Sequence, residues 1–317
     1  MKFKKILFLE IKKENLEPHF WKRIDELSED KVFLSVDDPN IKSNLTSVDC
    51  ICTKGFVKKI DKEIIDSIPN LRYIGVLATG YGKIDVEYAA AKGVAVTNVP
   101  GYATNAVAEL VFGVILERLR DLSRAKNQAA GGNYSESTFF NTSEIKGKKF
   151  GIIGLGRIGS RVAEIALGFG AEVFYFDRNR KKEIENKGAK FSDLERLVST
   201  CDFIAIHLVL NKETENIINS SLIQKIRSRT VIVNLAPNEL VDLKALEERL
   251  AMGDITYILD HSDELSQEQA VKLSKHKNCI MYPPIGYTTK EASIIKQEIF
   301  VQNIENFLKG SPTNKVN

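Results

Sequence analysis

The sequence predicts an α/β protein built from two open parallel-sheet domains. Short apolar runs alternate with amphipathic stretches along the whole chain. Because strands buried on both faces read as continuous apolar runs, this alternation indicates parallel sheets covered by helices. The alternation starts again near residue 150, after a long amphipathic helix at Thr104–Arg120, and 317 residues suit about two domains of ~100–200 residues each.

The first series of elements lies before that long helix. Pro18 occupies an early helical position, and Pro69 and Gly93 each follow the end of a later helix. The apolar runs between these helices are short, as expected for strands. The predicted strands are Ile6–Leu9, Val48–Cys52, Tyr73–Ala78 and Val94–Thr97, and the predicted helices are Pro18–Leu27, Lys62–Ile68 and Asp85–Lys92.

The second series supplies a larger sheet. Ser192-x-x-Glu195 and Ser221-x-x-Gln224 have the spacing of capping boxes at helix starts, and Gly253 follows the end of another helix. A final amphipathic helix is predicted over Glu291–Leu308. The predicted strands are Phe150–Ile153, Val173–Phe176, Phe203–His207, Val231–Asn234, Tyr257–Leu259 and Cys279–Tyr282.

Composition excludes several classes of function. Forty-five Lys and Arg residues against 42 Asp and Glu leave a net charge of +3, with both signs scattered along the chain. This balance predicts neither a nucleic-acid partner nor binding to an acidic membrane surface. No apolar stretch is long enough to span a bilayer. The four cysteines form no disulfide framework, so we expect reduced thiols and a cytoplasmic location, and the four histidines and the cysteines lack metal-ligand spacing.

A glycine-rich turn carries the strongest functional signal. Gly154-x-Gly156-x-x-Gly159 follows a predicted strand and opens a predicted helix. In this pattern the first glycine permits a tight turn, the second lets a pyrophosphate approach the backbone, and the third lets helix and strand pack closely. The first amides of the helix, which include those of Arg157 and Ile158, can bind an anion without a cationic side chain. The motif therefore predicts a dinucleotide site.

A carboxylate at the end of the next strand indicates which dinucleotide is bound. Asp177 lies 23 residues beyond Gly154. That spacing places it beside the adenosine ribose, where it can accept hydrogen bonds from the hydroxyls and repel a 2′-phosphate. We therefore predict NAD as the cofactor. Arg178 and Arg180, just past the carboxylate, leave NADP as an alternative.

Several motifs together resemble one enzyme family. The segments 72–85, 93–102, 151–159, 201–207 and 303–310 are similar to those of the D-isomer-specific 2-hydroxyacid dehydrogenases, and the glycerate dehydrogenase/hydroxypyruvate reductase branch is the nearest look-alike. The resemblance covers nearly the whole chain. It implies a flavodoxin-like substrate domain formed by residues 1–100 and 287–317, with an NAD-binding Rossmann domain inserted at residues 101–286. It also implies a homodimer and a small anionic substrate.

The resemblance assigns further site residues. The Gly80–Tyr81 turn would offer amides to a substrate carboxylate, and Lys54 matches a residue on a substrate-side loop. The residues that match substrate-binding positions are Lys54, Thr79, Gly80 and Tyr81, and those that match cofactor-binding positions are Thr104, Gly154, Gly156, Arg157, Ile158, Gly159, Asp177, His207, Thr214, Leu235, Ala236 and Asp260.

The catalytic positions depart from the family pattern. The family uses an Arg that binds the substrate carboxylate, a His that passes a proton, and a carboxylate that keeps the His protonated. In this chain Pro237 occupies the Arg position, and Pro284 occupies the His position. Leu265 occupies the carboxylate position, with Glu264 one residue early. Because a positioned acid–base group is worth about 10²–10⁴ in rate, the ordinary mechanism is not expected.

Other side chains are candidate replacements. His261 follows Asp260 directly and could act as a proton donor, while Lys54 could supply the missing positive charge. A phenolic proton could come from Tyr81, Tyr102 or Tyr287, although packing or solvent exposure would also explain each of these residues. Two functions follow. The chain is either an NAD-dependent oxidoreductase acting on a small 2-keto or 2-hydroxy acid or related anion, or a catalytically retired NAD-binding sensor or partner-docking protein.

Overall fold

The computed structural model describes residues 2–35, 38, 45, 47–55, 59–135, 140 and 142–317. The chain divides into two compact units, which we call unit 1 and unit 2. Unit 1 comprises Met1–Tyr102 together with Lys290–Asn317, and unit 2 comprises Ala103–Thr289. None of the described helices combines the length and the apolar character that crossing a membrane requires.

The elements alternate along the chain as the apolar pattern predicts. The strands are β1 (Phe3–Leu9), β2 (Ser28–Leu34), β3 (Cys50–Thr53), β4 (Tyr73–Val76), β5 (Ala95–Thr97), β6 (Lys149–Ile153), β7 (Glu172–Phe176), β8 (Lys190–Phe191), β9 (Phe203–Ile206), β10 (Val231–Asn234), β11 (Thr256–Leu259) and β12 (Cys279–Met281). The helices are α1 (Pro18–Leu27), α2 (Lys62–Asp66), α3 (Val86–Ala91), α4 (Thr104–Arg120), α5 (Leu122–Ala130), α6 (Arg157–Gly168), α7 (Lys182–Glu185), α8 (Leu194–Thr200), α9 (Ser220–Lys225), α10 (Leu243–Ala251), α11 (Gln267–Ser274) and α12 (Lys290–Leu308).

Unit 1 is built on a five-stranded sheet in the order β2-β1-β3-β4-β5. All of its strand pairings are parallel. Separate apolar clusters cover its two faces: one includes Phe8 and Phe300, and the other includes Ile51 and Ile74. The sheet is therefore buried on both sides, which explains why its inner strands read as continuous apolar runs.

Unit 2 is built on a seven-stranded parallel sheet in the order β12-β11-β10-β9-β6-β7-β8. The strand order reverses between β6 and β9, because the chain runs outward from β6 to β8 and then returns to β9 on the other side. In open parallel sheets a ligand binds at the carboxyl ends of the strands that flank such a reversal. The glycine-rich turn at the end of β6 lies at this point.

The fold class agrees with the sequence prediction, but two edge strands were not predicted. β2 begins with Ser-Glu-Asp-Lys and is mostly exposed or half-buried, and β8 has only two residues, both exposed. Neither strand has the continuous apolar run by which buried strands are recognised, and each is defined by its pairing with one neighbouring strand.

The predicted capping boxes are wrong at both positions. Helix α8 is capped by Asp193, whose carboxylate accepts a hydrogen bond from the Arg196 amide at 2.8 Å. Helix α9 is capped by Asn219, which accepts from the Leu222 amide at 3.1 Å. A capping box does occur at α11, between Ser266 and Gln269. Asp and Asn are as good at a helix start as Ser, so the true cap depends on where the backbone turns.

Candidate functional site

The glycine-rich turn between β6 and α6 is tightly packed against the end of β9. Gly154 has a φ of +95°, and a Cβ atom there would lie 2.7 Å from the carbonyl oxygen of His207. A Cβ atom on Gly159 would lie only 2.0 Å from the carbonyl oxygen of Gly154. Only glycine is compatible with these positions, as the spacing of the motif predicts.

Gly156 differs from these two glycines because the space above it is open. It precedes α6, it is exposed, and no atom lies within 4 Å of the position that its Cβ would take. No side chain caps α6, so the first amides of this helix, including those of Arg157 and Ile158, have no side-chain acceptor at the cap. An uncapped helix start beside an open glycine is a place where an anion can approach the backbone.

Asp177, at the end of β7, is hydrogen-bonded to the glycine-rich turn. Its Oδ2 atom accepts from the Leu155 amide at 2.7 Å, and its Oδ1 atom accepts from the Asn179 amide at 3.2 Å. Each carboxylate oxygen can accept a further hydrogen bond, and the side chain is half-buried rather than enclosed. The carboxylate therefore orders the turn and remains able to bind a ligand hydroxyl.

The two arginines that follow Asp177 are paired with carboxylates. Arg180 forms a bidentate pair with Glu185, with both N–O distances at 2.9 Å, and this pairing lowers the pKa of Glu185. Arg178 lies 3.3 Å from Glu213 in an exposed pair. A phosphate would have to compete with these carboxylates for either guanidinium group.

The loop after β9 contains two of the predicted cofactor residues. His207 donates from its backbone amide to the carbonyl oxygen of Ile153 at 2.8 Å, and its Nε2 atom is buried with no hydrogen-bond partner among the described residues. Burial lowers the pKa of His207 to about 4, so its imidazole is neutral at ordinary pH. Thr214 closes the loop by donating to the carbonyl oxygen of Val209 at 2.7 Å and accepting from the Asn211 amide at 2.8 Å.

The end of β10 leads into Pro237, which the sequence predicts at the position of the family's arginine. Leu235 and Ala236 are buried, and the Ala236 amide donates to Asn234 Oδ1 at 3.1 Å. Pro237 then starts a short 3₁₀ helix and places no charge at this position. The next residue, Asn238, is buried and donates from its Nδ2 atom to the carbonyl oxygen of His261 at 2.7 Å.

An imidazole between two carboxylates lies at the end of β11. Asp260 is 2% exposed, and its Oδ2 atom accepts from the Gly286 amide at 2.9 Å. The other oxygen, Oδ1, is buried without a hydrogen-bond partner among the described residues, and burial raises the pKa of this carboxyl group. His261 has its Nε2 atom 3.6 Å from Asp260 Oδ1 and its Nδ1 atom 3.2 Å from Glu264 Oε1. The structure therefore places a His–Glu pair next to the predicted cofactor residue Asp260.

Among the described residues of unit 2, the other positions that the sequence indicates carry no pair of charged side chains like that of His261 and Glu264. Leu265 packs against an apolar cluster, and Pro284 is half-buried. Tyr287 is 41% exposed, which is consistent with a solvated side chain. Thr104 is the first residue of α4. In the part of the chain that the structure describes, no group of His, Cys, Asp and Glu side chains is arranged to hold a metal ion.

In unit 1 the predicted substrate residues lie on turns that abut each other. A Cβ atom on Gly55, next to Lys54, would lie 2.7 Å from the carbonyl oxygen of Gly80. Thr79 donates from Oγ1 to the carbonyl oxygen of Val99 at 2.8 Å, which ties the same turn to the loop after β5. Gly80 is exposed, and the half-buried Tyr81 packs against the apolar cluster on one face of the sheet.

One residue near these turns was missed by sequence reasoning. Lys296, in the middle of α12, is half-buried, and its Nζ atom lies 5.5 Å from the centre of the Tyr102 ring. Burial, together with the charge of Lys54, lowers the pKa of Lys296. The signal that could have found it is its spacing of four residues from the apolar Ala292 and Phe300 on the same helix.

The chain matches the family model of the D-isomer-specific 2-hydroxyacid dehydrogenase NAD-binding domain over residues 112–286. It is 35% identical to a glyoxylate reductase of Thermococcus litoralis over 82% of this chain and 81% of that protein. It is 32% identical to a hydroxypyruvate reductase of Blautia hydrogenotrophica over 94% of each.

Solved structures match both units. A D-lactate dehydrogenase from Aquifex aeolicus, in complex with NAD and lactic acid, has a TM-score of 0.82 and 26% identity, covering 98% of each chain. An acyclic imino acid reductase in complex with NADPH and D-Arg has a TM-score of 0.84 and 27% identity, covering 99% of this chain and 100% of that one.

The structure itself is consistent with an adenine-nicotinamide dinucleotide. The cradle at Gly154 and Gly159 excludes a Cβ atom, the space above Gly156 is open, and the buried Asp260 Oδ1 lacks a partner that a ligand amide could supply. Together with the comparisons, these features confirm the predicted fold class and NAD as the predicted cofactor.

Proposed function

Because the chain belongs to the D-isomer-specific 2-hydroxyacid dehydrogenase family, we propose that it reduces a small 2-oxo acid with NADH and that His261 provides the proton. The observation that carries the proposal is the His261–Glu264 pair beside Asp260. We assign substrate binding to unit 1 and NAD binding to unit 2, and we expect a homodimer. The relatives named as glyoxylate and hydroxypyruvate reductases indicate the class of substrate to test first.

The cofactor is bound mainly by backbone groups. The amides at the start of α6 bind the pyrophosphate above Gly156, and Asp177 accepts hydrogen bonds from the ribose hydroxyls. Because Arg178 and Arg180 are paired with carboxylates, they do not favour a 2′-phosphate, and NAD is preferred over NADP. When bound, the nicotinamide supplies the hydride.

Proton transfer is assigned to the imidazole of His261. Pro284 and Leu265 supply neither an acid nor a carboxylate, whereas Glu264 Oε1 lies 3.2 Å from His261 Nδ1 and orients the ring. The imidazolium then donates a proton to the oxygen that becomes an alkoxide. A positioned general acid of this kind contributes about 10²–10⁴ in rate.

The substrate carboxylate is assigned to unit 1. The exposed Gly80–Tyr81 turn offers backbone amides, and Lys54 lies next to the turn that contacts Gly80. Tyr81 and Tyr287 are weaker candidates for proton transfer, because Tyr81 packs against an apolar cluster and Tyr287 is 41% exposed.

A second candidate is a protein that binds NAD without turning over a substrate, as a sensor or partner-docking module. The observation that favours it is the presence of Pro237 and Pro284, which carry neither charge nor a transferable proton, at two of the family's catalytic positions. Under this alternative the cofactor cradle is used for binding alone, and the substrate class is not constrained.

The discriminating experiment measures NADH oxidation by the full chain with glyoxylate, hydroxypyruvate and pyruvate. We expect turnover with at least one of them and a loss of about 10²–10⁴ in kcat for His261→Asn. His19→Asn is the matched control, since His19 also lies near a glutamate, at 3.5 Å from Glu17, but is exposed in unit 1. Firm NADH binding with no oxidation by any oxo acid would favour the second candidate instead.

An imine substrate separates proton transfer from hydride transfer. A protonated imine, formed from glyoxylate and ammonium, already carries its proton, and one structural neighbour is named as an imino acid reductase. If His261 acts only as the acid, any iminium reduction by the wild-type protein should survive in His261→Asn while reduction of the oxo acid is lost. Equal loss of both would show that His261 has a structural role.

A further inference from the structure

A lysine occupies the buried face of the C-terminal helix of unit 1. Ala292, Lys296, Phe300 and Ile304 are spaced four residues apart along α12 and share one face of it. The three apolar members are at most 2% exposed, so this face packs against the sheet of unit 1. Lys296 therefore extends along the body of the unit instead of away from it.

Lys296 has a cationic neighbour and forms no ion pair with any described residue. Burial lowers the pKa of Lys296, and the positive charge of Lys54 lowers it further, so the two ammonium groups repel each other. Within residues 2–35, 47–55, 59–135 and 142–317, neither lysine forms an ion pair. The Lys296 ammonium lies over the face of the Tyr102 ring, 5.5 Å from its centre.

Without a bound anion, this arrangement of two lysines lowers the stability of the protein. Burial disfavours the charged form of a lysine, and a second positive charge nearby disfavours it further. A methionine of similar length would cover the same apolar surface without either cost. The pair of lysines is therefore explained better by a bound anion than by packing.

The lysines lie at the end of unit 1 where its loops converge. Lys54 follows β3, and the turn beside it contacts the carbonyl oxygen of Gly80, which follows β4. Asn303 of α12 donates from Nδ2 to the carbonyl oxygen of Asn98 at 2.8 Å, which ties the helix to the loop after β5. These loops follow the carboxyl ends of parallel strands, where ligands bind in sheets of this kind.

We propose that Lys54 and Lys296 together bind the carboxylate of the substrate and supply the positive charge that it requires. The proposal rests on the proposed function in that it takes the ligand to be a small organic acid. It adds Lys296 as a residue that determines specificity for an anion, and it assigns the Gly80–Tyr81 amides to the same carboxylate.

The test is calorimetric titration of the NADH-bound full chain with oxamate, an unreactive analogue of a 2-oxo acid. We expect oxamate to bind at least tenfold more weakly to Lys296→Met and to Lys54→Met, while Lys296→Arg keeps most of the affinity. The matched control is Lys290→Met, which removes an exposed lysine from the first position of the same helix and should bind oxamate like the wild type.

Thermal unfolding gives a second measurement that does not depend on turnover. Without ligand, Lys296→Met should unfold at a higher temperature than the wild type, because an uncompensated charge is removed from an apolar face. Oxamate should raise the unfolding temperature of the wild type and of Lys290→Met, but not that of Lys296→Met. A variant that is less stable than the wild type and still gains stability from oxamate would overturn the proposal.

The outcomes separate this proposal from the proposed function. Lys296-dependent oxamate binding by a protein that reduces no oxo acid would support the anion site and refute the reductase. Turnover of an oxo acid with an unchanged KM in Lys296→Met would support the reductase and refute the anion site. Failure of the wild type to bind oxamate would overturn the anion site.

Discussion

Gly156→Ala should weaken the binding of NADH while leaving the stability of the protein almost unchanged. The backbone at Gly156 has a φ of −75° and a ψ of −159°, which alanine can adopt, and no atom lies within 4 Å of the added Cβ. We therefore expect the free energy of unfolding to change by no more than about 0.5 kcal/mol. The methyl group instead occupies the space through which a pyrophosphate reaches the start of α6.

The expected loss of affinity follows from the hydrogen bonds that the methyl group prevents. A hydrogen bond to a charged group is worth about 1.5–3 kcal/mol. Losing one such bond between an α6 amide and a phosphate oxygen corresponds to a roughly 10- to 150-fold increase in the Kd of NADH. Gly159→Ala should behave differently, because its Cβ would lie 2.0 Å from the Gly154 carbonyl oxygen and would force α6 away from the turn. We expect it to lower the free energy of unfolding by about 1–3 kcal/mol or more.

The assay is a fluorescence titration with NADH, combined with urea unfolding of each variant. The control is Gly168→Ala in the last turn of the same helix, where a Cβ also meets no atom within 4 Å but lies far along the helix from its N-terminus. Gly168→Ala should bind NADH normally and be slightly more stable, because alanine is the better helix former. Normal NADH binding by a folded Gly156→Ala would refute this account of the cradle.

Further predictions concern selectivity, pH and the replaced positions. Asp177→Ser should raise the affinity for NADPH relative to NADH at least tenfold in paired titrations, and an unchanged ratio would contradict the role of Asp177. Because burial lowers the pKa of His207 to about 4 from 6.5, the folded state resists protonation and loses stability as the pH falls through this range. This loss should be about 1–2 kcal/mol in urea unfolding between pH 7 and pH 5 and should be absent in His207→Gln. The double variant Pro237→Arg with Pro284→His should not raise kcat/KM for any oxo acid, and a large increase would show that no other residues have taken over the catalytic roles.

The fold could be predicted wherever a buried element has a recognisable run of apolar residues in the sequence. The inner strands, such as β6 and β10, are covered on both faces and therefore consist of continuous apolar residues. The edge strand β2 starts with charged residues, and its strand character comes from pairing with β1. Helix caps were misplaced for a related reason, since Ser192 and Asp193 are both good caps and only the backbone path chooses between them.

Site residues were likewise predictable where they are close together in the sequence, and were not predictable where they are far apart in it. Gly154 and Gly159 contact each other within one turn, and Asp177 lies at the end of the next strand. A short sequence motif therefore specifies all three residues. His261 and Glu264 are three residues apart, and their pairing is also local. Lys54 and Lys296 are far apart in the sequence and belong to the same unit because α12 packs on the sheet that carries Lys54. No pattern in either segment alone indicates the other.

The proposed cofactor-binding part of the site depends on the main chain, whereas the proposed catalytic part depends on side chains. The cradle that we propose for NAD consists of backbone amides and of two glycines that no other residue can replace, because a Cβ at Gly154 or Gly159 would collide with the main chain. Charge and proton transfer, in contrast, belong to side chains, and the side chains of other residues can supply a charge or a proton without any change in the backbone cradle. We propose His261 for the proton and Lys296 for the charge, and both lie outside the glycine-rich turn. Pro237 and Pro284 therefore leave the cradle unchanged, and activity depends on whether such side chains supply the missing charge and proton.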